Sequence, residues 1–218
     1  MNYQLLKKSR LFGDIDDNEL GRLLGCLEYA EKDFEKDEII FRAGEKLSKI
    51  GIVLKGSVNI ESYDFLGEKS IFAHLWEGDI FGEAYALAGN EPLTVNAAAA
   101  ESCTVLLLNA GKILKACPAA CPCHSLIIRR LLIETAEKNL RLSEKITHTS
   151  PKTIRARLIS YLSAQAAKQG KNSFLIPFNR QQLADYLSAD RSALSAELGK
   201  MRDEGIIDFH KNSFTLKT

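Results

Sequence analysis

The sequence predicts an α+β protein with three parts: a β-sandwich or barrel, a long helix, and a helix-turn-helix followed by a hairpin. Short β-type runs separated by turn signals fill residues 38–108, which is typical of a sandwich or barrel. Six residues, four of them apolar, then recur at coiled-coil spacing over residues 128–146, and two short capped helices precede a final hairpin. The predicted domains are therefore residues 1–123, 124–150 and 151–218.

Composition indicates an ordinary soluble globular protein, with 45% apolar and 26% charged residues among 218. No apolar run reaches the length that spans a bilayer, and residues 1–12 lack the apolar segment of a secretory signal. Five cysteines, an odd number, favour reduced thiols over a disulfide framework. We therefore expect a cytoplasmic protein with no membrane partner.

Charge is distributed unevenly along the chain although the net charge is only +1. From His148 onward there are eleven Lys and Arg against six Asp and Glu, a balance of +5. The preceding 147 residues carry eighteen against twenty-two, a balance of −4. A basic C-terminal third suits a polyanion such as DNA, although many solvated domains are equally basic.

The first predicted elements are a helix and a set of strands. Asp16 and Asp17 can cap a helix whose apolar residues are Leu20, Leu23, Leu24 and Leu27. The predicted strands are Ile39–Phe41, Ile50–Leu54, Val58–Ile60, Ser70–Leu75, Thr94–Ala98 and Cys103–Leu108. Aromatic residues in and around these strands are expected in the core rather than around a ligand: Phe72, Trp76, Phe81 and Tyr85.

A long helix is predicted from about His124 to Ile146. Its residues at alternating steps of four and three are Ile128, Leu132, Thr135, Asn139, Leu142 and Ile146. We interpret them as a dimer seam, in which a polar residue can fix the register. The alternative is a helix that packs on its own domain. We expect Ser150 to cap the next helix, which begins at Pro151 and continues to about Gln169.

Two short helices and a hairpin follow. Asn179 can cap a helix that continues to Leu187, and Asp190 can cap a second helix from Arg191 to about Glu204. In the second helix the apolar face is Leu194, Leu198 and Met201, and the opposite face is Ser192, Ser195, Ala196 and Gly199. Such small side chains allow close approach to base edges, whereas the alternative is a helical hairpin with a featureless face. Ile206–His210 and Ser213–Lys217 complete the order of a winged helix.

These residues carry a resemblance to a known family. The stretch from Asn179 to Leu198, continuing through residues 201–207, resembles the helix-turn-helix of the CRP/FNR family. Gly44, Gly56 and residues 78–84 stand in the order of that family's cyclic-nucleotide-binding-like domain. The resemblance covers nearly the whole chain. It implies a β-roll (a double-stranded, jelly-roll-like barrel), a long dimerisation helix and a winged helix-turn-helix.

The resemblance also implies a function and its partners. We expect a homodimeric, non-enzymatic regulator of transcription that binds double-stranded DNA, a small-molecule effector and RNA polymerase, without a cofactor. The residues expected to contact DNA are Asn179, Arg180, Gln181, Arg191, Ser192 and Ser195. Ser192 and Ala196 replace a frequent base-reading Glu and a common Arg of the family, so the half-site of its founding members is not assumed.

The effector is expected in the β-roll, near the long helix. The residues assigned to it are Gly82, Glu83, Leu93, Thr94, Val95, Asn139 and Ser143, with a structural carboxylate of the barrel turn as the alternative role of Glu83. Cyclic-nucleotide members hold the phosphate with an Arg and a hydroxyl residue, but here Leu93 stands at the arginine position and only Thr94 keeps the hydroxyl. No Lys or Arg occurs between Lys69 and Lys112, so we expect an effector other than cAMP.

Other classes of function have weaker support in the sequence. Cys117, Cys121, Cys123 and His124 could hold zinc or sense oxidants, but their spacing is irregular and favours inert thiols, so no metal site is expected. The four histidines are too scattered for a barrel metalloenzyme. A ligand-binding or scaffold protein without specific DNA binding is the alternative to a regulator, and Arg180, Gln181 and Arg191 argue against it.

Overall fold

The computed structural model describes residues 2–115 and 122–217. The chain forms two compact units, Met1–Ala136 and Glu137–Thr218. The division between them falls within the long helix α5 (Pro122–Thr149), which contributes residues to both units.

The first unit is built on two four-stranded antiparallel sheets, with strand orders β1-β8-β3-β6 and β2-β7-β4-β5. Its strands are β1 (Tyr29–Phe34), β2 (Ile39–Phe41), β3 (Lys49–Lys55), β4 (Val58–Tyr63), β5 (Lys69–Leu75), β6 (Ile80–Phe81), β7 (Asn96–Ala99) and β8 (Cys103–Asn109). Its helices are α1 (Tyr3–Leu6), α2 (Asp17–Leu27), α3 (Glu83–Ala88), α4 (Ala110–Leu114) and the first part of α5. This arrangement confirms the predicted β-roll.

Local chemistry explains two of these elements. Asp16 caps α2 by accepting a hydrogen bond from the Asn18 amide, and all four predicted leucines of α2 are buried. Gly56 turns the chain between β3 and β4 at φ +78°, where an added Cβ would lie 2.6 Å from the Ser102 carbonyl oxygen. Only glycine fits this approach without displacing backbone.

The six predicted strands are confirmed, with shifts of at most three residues at their ends. The sequence did not predict β1, because its residues are mostly charged or exposed and it lies at the edge of its sheet, paired to β8 alone. It also missed β6, which has only two residues. Phe81 is buried as expected, but Phe72 and Trp76 are not core residues, since 63% and 62% of their surfaces are exposed. Phe72 lies on edge strand β5 and Trp76 follows it, and every residue of this strand is exposed except the half-buried Leu75, so this part of the sheet contributes little to the core.

The second unit comprises the end of α5 and a small α/β domain. Its elements are α6 (Ile154–Gln169), β9 (Ser173–Leu175), α7 (Arg180–Tyr186), α8 (Arg191–Asp203), β10 (Ile207–His210) and β11 (Ser213–Leu216). The predicted hairpin is confirmed as β10 and β11, and β9 adds a third antiparallel strand. One apolar core joins α6, α7, α8 and this sheet, with Leu158, Leu183, Leu194 and Phe214 fully buried.

The predicted start of α6 at Pro151, with Ser150 as its cap, was wrong. The Ser150 hydroxyl donates to the Ile146 carbonyl at 2.7 Å, so Ser150 finishes α5 instead. Thr153 caps α6 by accepting from the Ala156 amide. The helix therefore begins after the capping threonine rather than at Pro151, although proline is generally favoured at a helix start.

Helix α5 buries one side and exposes another. Ile127 and Leu131 are buried in the core of the first unit, and Ile128 is half-buried against that core. The predicted seam residues Leu132, Leu142 and Ile146 are 68%, 61% and 63% exposed. Within the described residues, no helix is long and apolar enough to cross a membrane.

Candidate nucleic-acid interface and effector site

The α7–turn–α8 segment is defined by caps at both helix starts. Asn179 and Gln182 form a reciprocal capping box at α7, each accepting from the other's backbone amide at 2.9 Å. Asp190 caps α8 by accepting from the Ala193 amide at 2.8 Å. Between the helices Ser188 adopts φ +51°, an unusual conformation for a residue with a Cβ. The predicted helix-turn-helix is thus present with both predicted caps.

Helix α8 has one buried and one exposed face. Leu194, Leu198 and Met201 are buried, and Ser192 and Ser195 are exposed on the other side. Arg191 is also exposed, at the first position of the helix. The three residues expected to read bases therefore lie on one accessible region at the start of α8.

The hydroxyl of Ser192 is already engaged. It donates to the Asp190 carboxylate, and this bond, with backbone amides of the first turn, holds the pKa of Asp190 below its usual range. Ser192 can still accept a hydrogen bond from a base, whereas Ser195 has its side chain available on the exposed face.

Of the α7 residues predicted to contact DNA, Arg180 packs against the hairpin of β10 and β11. The Arg180 guanidinium lies 5.0 Å from the Phe209 ring centre and 5.5 Å from that of Phe214, and it donates to the Lys211 carbonyl at 3.2 Å. Burial lowers the pKa of Arg180. Gln181 is exposed and donates to Asp185 one turn later. Arg180 therefore ties α7 to the hairpin, a structural role that the sequence did not predict.

The sequence also did not predict a set of ion pairs that holds α8 against α6. Arg155 of α6 pairs with Glu197 in the middle of α8, and with both oxygens of Glu204 at its end, at 2.7 Å each. These hydrogen bonds raise the pKa of Arg155 and lower that of Glu204. Bidentate arginine–carboxylate pairs fix orientation as well as distance, so Arg155 holds α8 against α6.

An aromatic cluster lies where α5 ends in the second unit. His148 is buried, with its ring 5.5 Å from that of Tyr161 and 6.2 Å from that of Tyr186. Its Nδ1 is 3.0 Å from the Ser160 hydroxyl. Burial lowers the pKa of His148, with a smaller opposing effect from Glu144 and a small further lowering from Lys168. The neutral imidazole is therefore the form that fits this cluster.

We expect the second unit to lose stability as the pH falls below about 6.5, the ordinary pKa of histidine. The unfolded chain binds a proton at His148 more readily than the folded chain does, so acid favours unfolding. Thermal unfolding between pH 8 and pH 5 measures the effect. The midpoint of His148→Phe should fall less than that of the wild type, and the exposed control His210→Gln should follow the wild type. Equal falls in all three proteins would contradict this account.

Five of the predicted effector residues belong to the first unit. Gly82 precedes α3 with φ +76°, and an added Cβ would lie 3.0 Å from atoms of Leu47 and Phe41. Glu83 is buried at the first position of α3. Leu93 is only 6% exposed and belongs to the core, while Val95 is half-buried.

The hydroxyl of Thr94, which the resemblance matches to a phosphate-binding position of the cyclic-nucleotide members, has a protein partner. Thr94 Oγ1 lies 2.7 Å from the Tyr85 hydroxyl. The backbone of Leu93 is fixed as well, because its amide donates to the Glu45 carbonyl and its carbonyl accepts from the Gly44 amide. Residues 70–111 contain no Lys or Arg that could pair with an anion at this segment.

Asn139 and Ser143, the other predicted effector residues, belong to the second unit. Both are exposed and one helical turn apart on α5, and Ser143 Oγ lies 3.5 Å from Asn139 Oδ1. Their polar side chains lie on a stretch of α5 that also exposes Leu142 and Ile146.

Of the three described cysteines, Cys26 is exposed and the other two are buried. Cys117 and Cys121 lie outside the described residues, and Cys123 is buried. Burial raises the pKa of Cys103 to about 11, which keeps this thiol protonated at neutral pH. Nowhere in residues 2–115 and 122–217 do three His, Cys, Asp or Glu side chains form a group suited to a metal ion.

Comparison with known proteins supports both halves of this architecture. Residues 31–119 match the model of the cyclic nucleotide-binding domain, and residues 156–217 match that of the Crp-like helix-turn-helix domain. The global nitrogen regulator of Nostoc sp. is 23% identical over 188 residues, covering 84% of this chain and 83% of its own.

Solved structures show the same fold. The structure of CprK complexed with OCPA has a TM-score of 0.63 at 13% identity, covering 92% of this chain and 89% of its own. The global regulator CLP of Xanthomonas campestris, described as c-di-GMP responsive, has a TM-score of 0.54 at 15% identity. That match covers 93% of this chain and 100% of CLP.

Proposed function

The chain belongs to the CRP/FNR family of transcriptional regulators, and we propose that it acts as a homodimer that binds a palindromic DNA site through α8. The exposed first turns of α8, with Arg191, Ser192 and Ser195 opposite a buried apolar face, carry this proposal. One recognition helix reads only a few base pairs, and two-fold symmetry doubles the site. A regulator of this kind acts in the cytoplasm, and we assign it no catalytic role.

The exposed apolar residues of α5 support the dimer. Leu132, Leu142 and Ile146 lie on the predicted seam, and each leaves more than 60% of its surface uncovered. A symmetric coiled coil would bury these leucines and the isoleucine against their counterparts. RNA polymerase is proposed as a further partner from family membership alone.

We propose that an effector other than cAMP binds the β-roll and controls DNA affinity. By the family resemblance Leu93 stands at the position of the phosphate-binding arginine, and its side chain is apolar and buried, while Thr94 is hydrogen-bonded to Tyr85. Removing an ionised phosphate from water costs several kcal/mol unless a cation and hydrogen bonds replace its hydration. The effector is therefore less charged at this segment than a cyclic nucleotide, or it carries its anion elsewhere.

We expect neither cAMP nor cGMP to bind at micromolar concentration or to change DNA affinity. Isothermal titration calorimetry of the full-length protein with each nucleotide measures the first effect, and the DNA titration repeated with nucleotide measures the second. A micromolar dissociation constant for cAMP would contradict the assignment of Leu93 and Thr94. Loss of that affinity in Thr94→Val would then identify this segment as the phosphate site after all.

Selection of bound fragments from random DNA tests the proposed function as a whole. We expect a shared motif with two inverted half-sites whose centres are one helical turn apart, about 10 base pairs. Sequencing the bound fraction at physiological salt measures the enrichment. Uniform retention of all sequences would contradict the proposal and would favour the scaffold alternative.

A further inference from the structure

Arg157 on α6 connects two segments of the second unit that are distant in sequence. Its Nε donates to the Pro151 carbonyl at 2.8 Å, in the linker between α5 and α6. Its Nη1 donates to the carbonyls of Leu187 at 3.1 Å and Ser188 at 2.8 Å, where α7 ends and the turn to α8 begins. One guanidinium thus binds both the linker and the helix-turn-helix.

The partners of Arg157 are backbone carbonyls rather than carboxylates. Among the described residues it forms no ion pair with an Asp or Glu, in contrast to Arg155 on the same helix. Carbonyls at the end of a helix lack partners within it and carry partial negative charge, so a guanidinium stabilises them. Ser188 has φ +51°, and bonding of its carbonyl helps to hold this unfavourable conformation.

We propose that Arg157 is a positioning residue through which the linker after α5 fixes the turn before α8. Only Ala189 and Asp190 separate the bonded Ser188 from Arg191, and the Ala189 amide donates to the Ala184 carbonyl. The turn therefore transmits its position directly to the first residues of α8. Arg155 holds the middle and end of α8, and Arg157 holds its start.

This inference rests on the proposed reading of DNA by α8, and it has a distinct consequence. Loss of Arg157 leaves α8 attached through Arg155 but releases its first turn, where Arg191, Ser192 and Ser195 lie. Binding to random DNA depends on charge and is retained, whereas discrimination between sequences depends on the placement of this turn and is lost.

Arg157→Lys separates positioning from a direct phosphate contact. Lysine keeps the charge, but a single ammonium cannot reproduce the two-sided fork that reaches Pro151 and Ser188. We expect specific affinity to fall roughly tenfold, the equivalent of one lost charge-assisted hydrogen bond, with non-specific affinity unchanged. The slope of log affinity against log salt should also stay unchanged.

Arg157→Met should behave similarly, and the control Lys171→Gln should keep the wild-type ratio of specific to non-specific affinity.

Two results would overturn the proposal. If Arg157→Lys keeps wild-type specificity while Arg157→Met lowers affinity for all sequences and reduces the salt slope by about one, Arg157 contacts a phosphate. If both variants keep wild-type specificity and salt slope, Arg157 has no positioning role.

Hydrogen exchange without DNA provides a measurement that does not depend on the proposed function. In Arg157→Lys we expect faster exchange at the amides of Ser188 and Ala189, with unchanged exchange in the β10–β11 hairpin. Unchanged exchange at the turn would overturn the proposal even if the wild type binds DNA specifically. Faster exchange at the turn in a protein whose wild type shows no sequence preference would refute the proposed function and leave the Arg157 connection supported.

Discussion

Replacing Leu142 with aspartate is expected to convert the proposed dimer into a monomer at micromolar concentration. Leu142 is 61% exposed in the single chain and lies on the predicted seam of α5. Each protomer would lose the burial of the exposed part of one leucine, about 1–2 kcal/mol, so a symmetric dimer loses about 2–4 kcal/mol. Two carboxylates facing each other across the seam would add repulsion. Sedimentation equilibrium measures the change in dissociation constant.

Leu140 provides a matched control for this substitution. It is 66% exposed, on the same helix, but lies about 160° around the helix from Leu142. Leu140→Asp should therefore remain dimeric and bind the selected site with nearly wild-type affinity. Dissociation of Leu140→Asp together with an intact Leu142→Asp dimer would show that the predicted seam is the wrong face of α5.

Replacing Arg191 with alanine is expected to weaken binding to the selected DNA site by about 1–3 kcal/mol and to relax the preference for one base pair in each half-site. Arg191 is exposed at the first position of α8, where a guanidinium can form two hydrogen bonds with a guanine edge. Fluorescence anisotropy on a panel of single-base variants of the site measures both effects.

Arg191→Lys distinguishes base reading from a phosphate contact at this position. Lysine keeps the charge but cannot reproduce the planar bidentate geometry, so we expect it to relax the same base preference. A uniform loss across the panel in Arg191→Ala, with wild-type affinity restored by lysine, would make Arg191 a phosphate contact instead.

The sequence predicted those elements whose signals are local. The caps Asp16, Asn179 and Asp190 each occupy the predicted place, because a short polar side chain before an apolar periodic run marks a helix start. The exposed and buried faces of α8 were predicted from the helical spacing of its apolar residues. Strand β1 was not predicted because its own residues are mostly polar. It forms a strand by pairing with β8, more than 60 residues later in the chain.

Contacts between distant residues could not be predicted. Arg155 and Arg157 look like ordinary charges on α6, yet all their partners except Pro151 lie 30 to 49 positions away. Nothing in the local sequence specifies these partners, since they meet only when α6 packs against α7 and α8. The assignment of Leu93 to the position of a phosphate-binding arginine stays a prediction from the resemblance, and the Tyr85–Thr94 bond beside it could not be predicted from the sequence.

The ratio of specific to non-specific DNA affinity tests the central claim most directly. Titrating the full-length protein with the selected palindrome and with a scrambled duplex, both at physiological salt, gives this ratio. We predict at least about 10³, the low end for specific regulators. Inserting five base pairs between the half-sites should remove most of the preference for the palindrome, because the second half-site then lies on the opposite side of the duplex. Equal affinities for the palindrome and the scrambled duplex would contradict sequence-specific binding by α8.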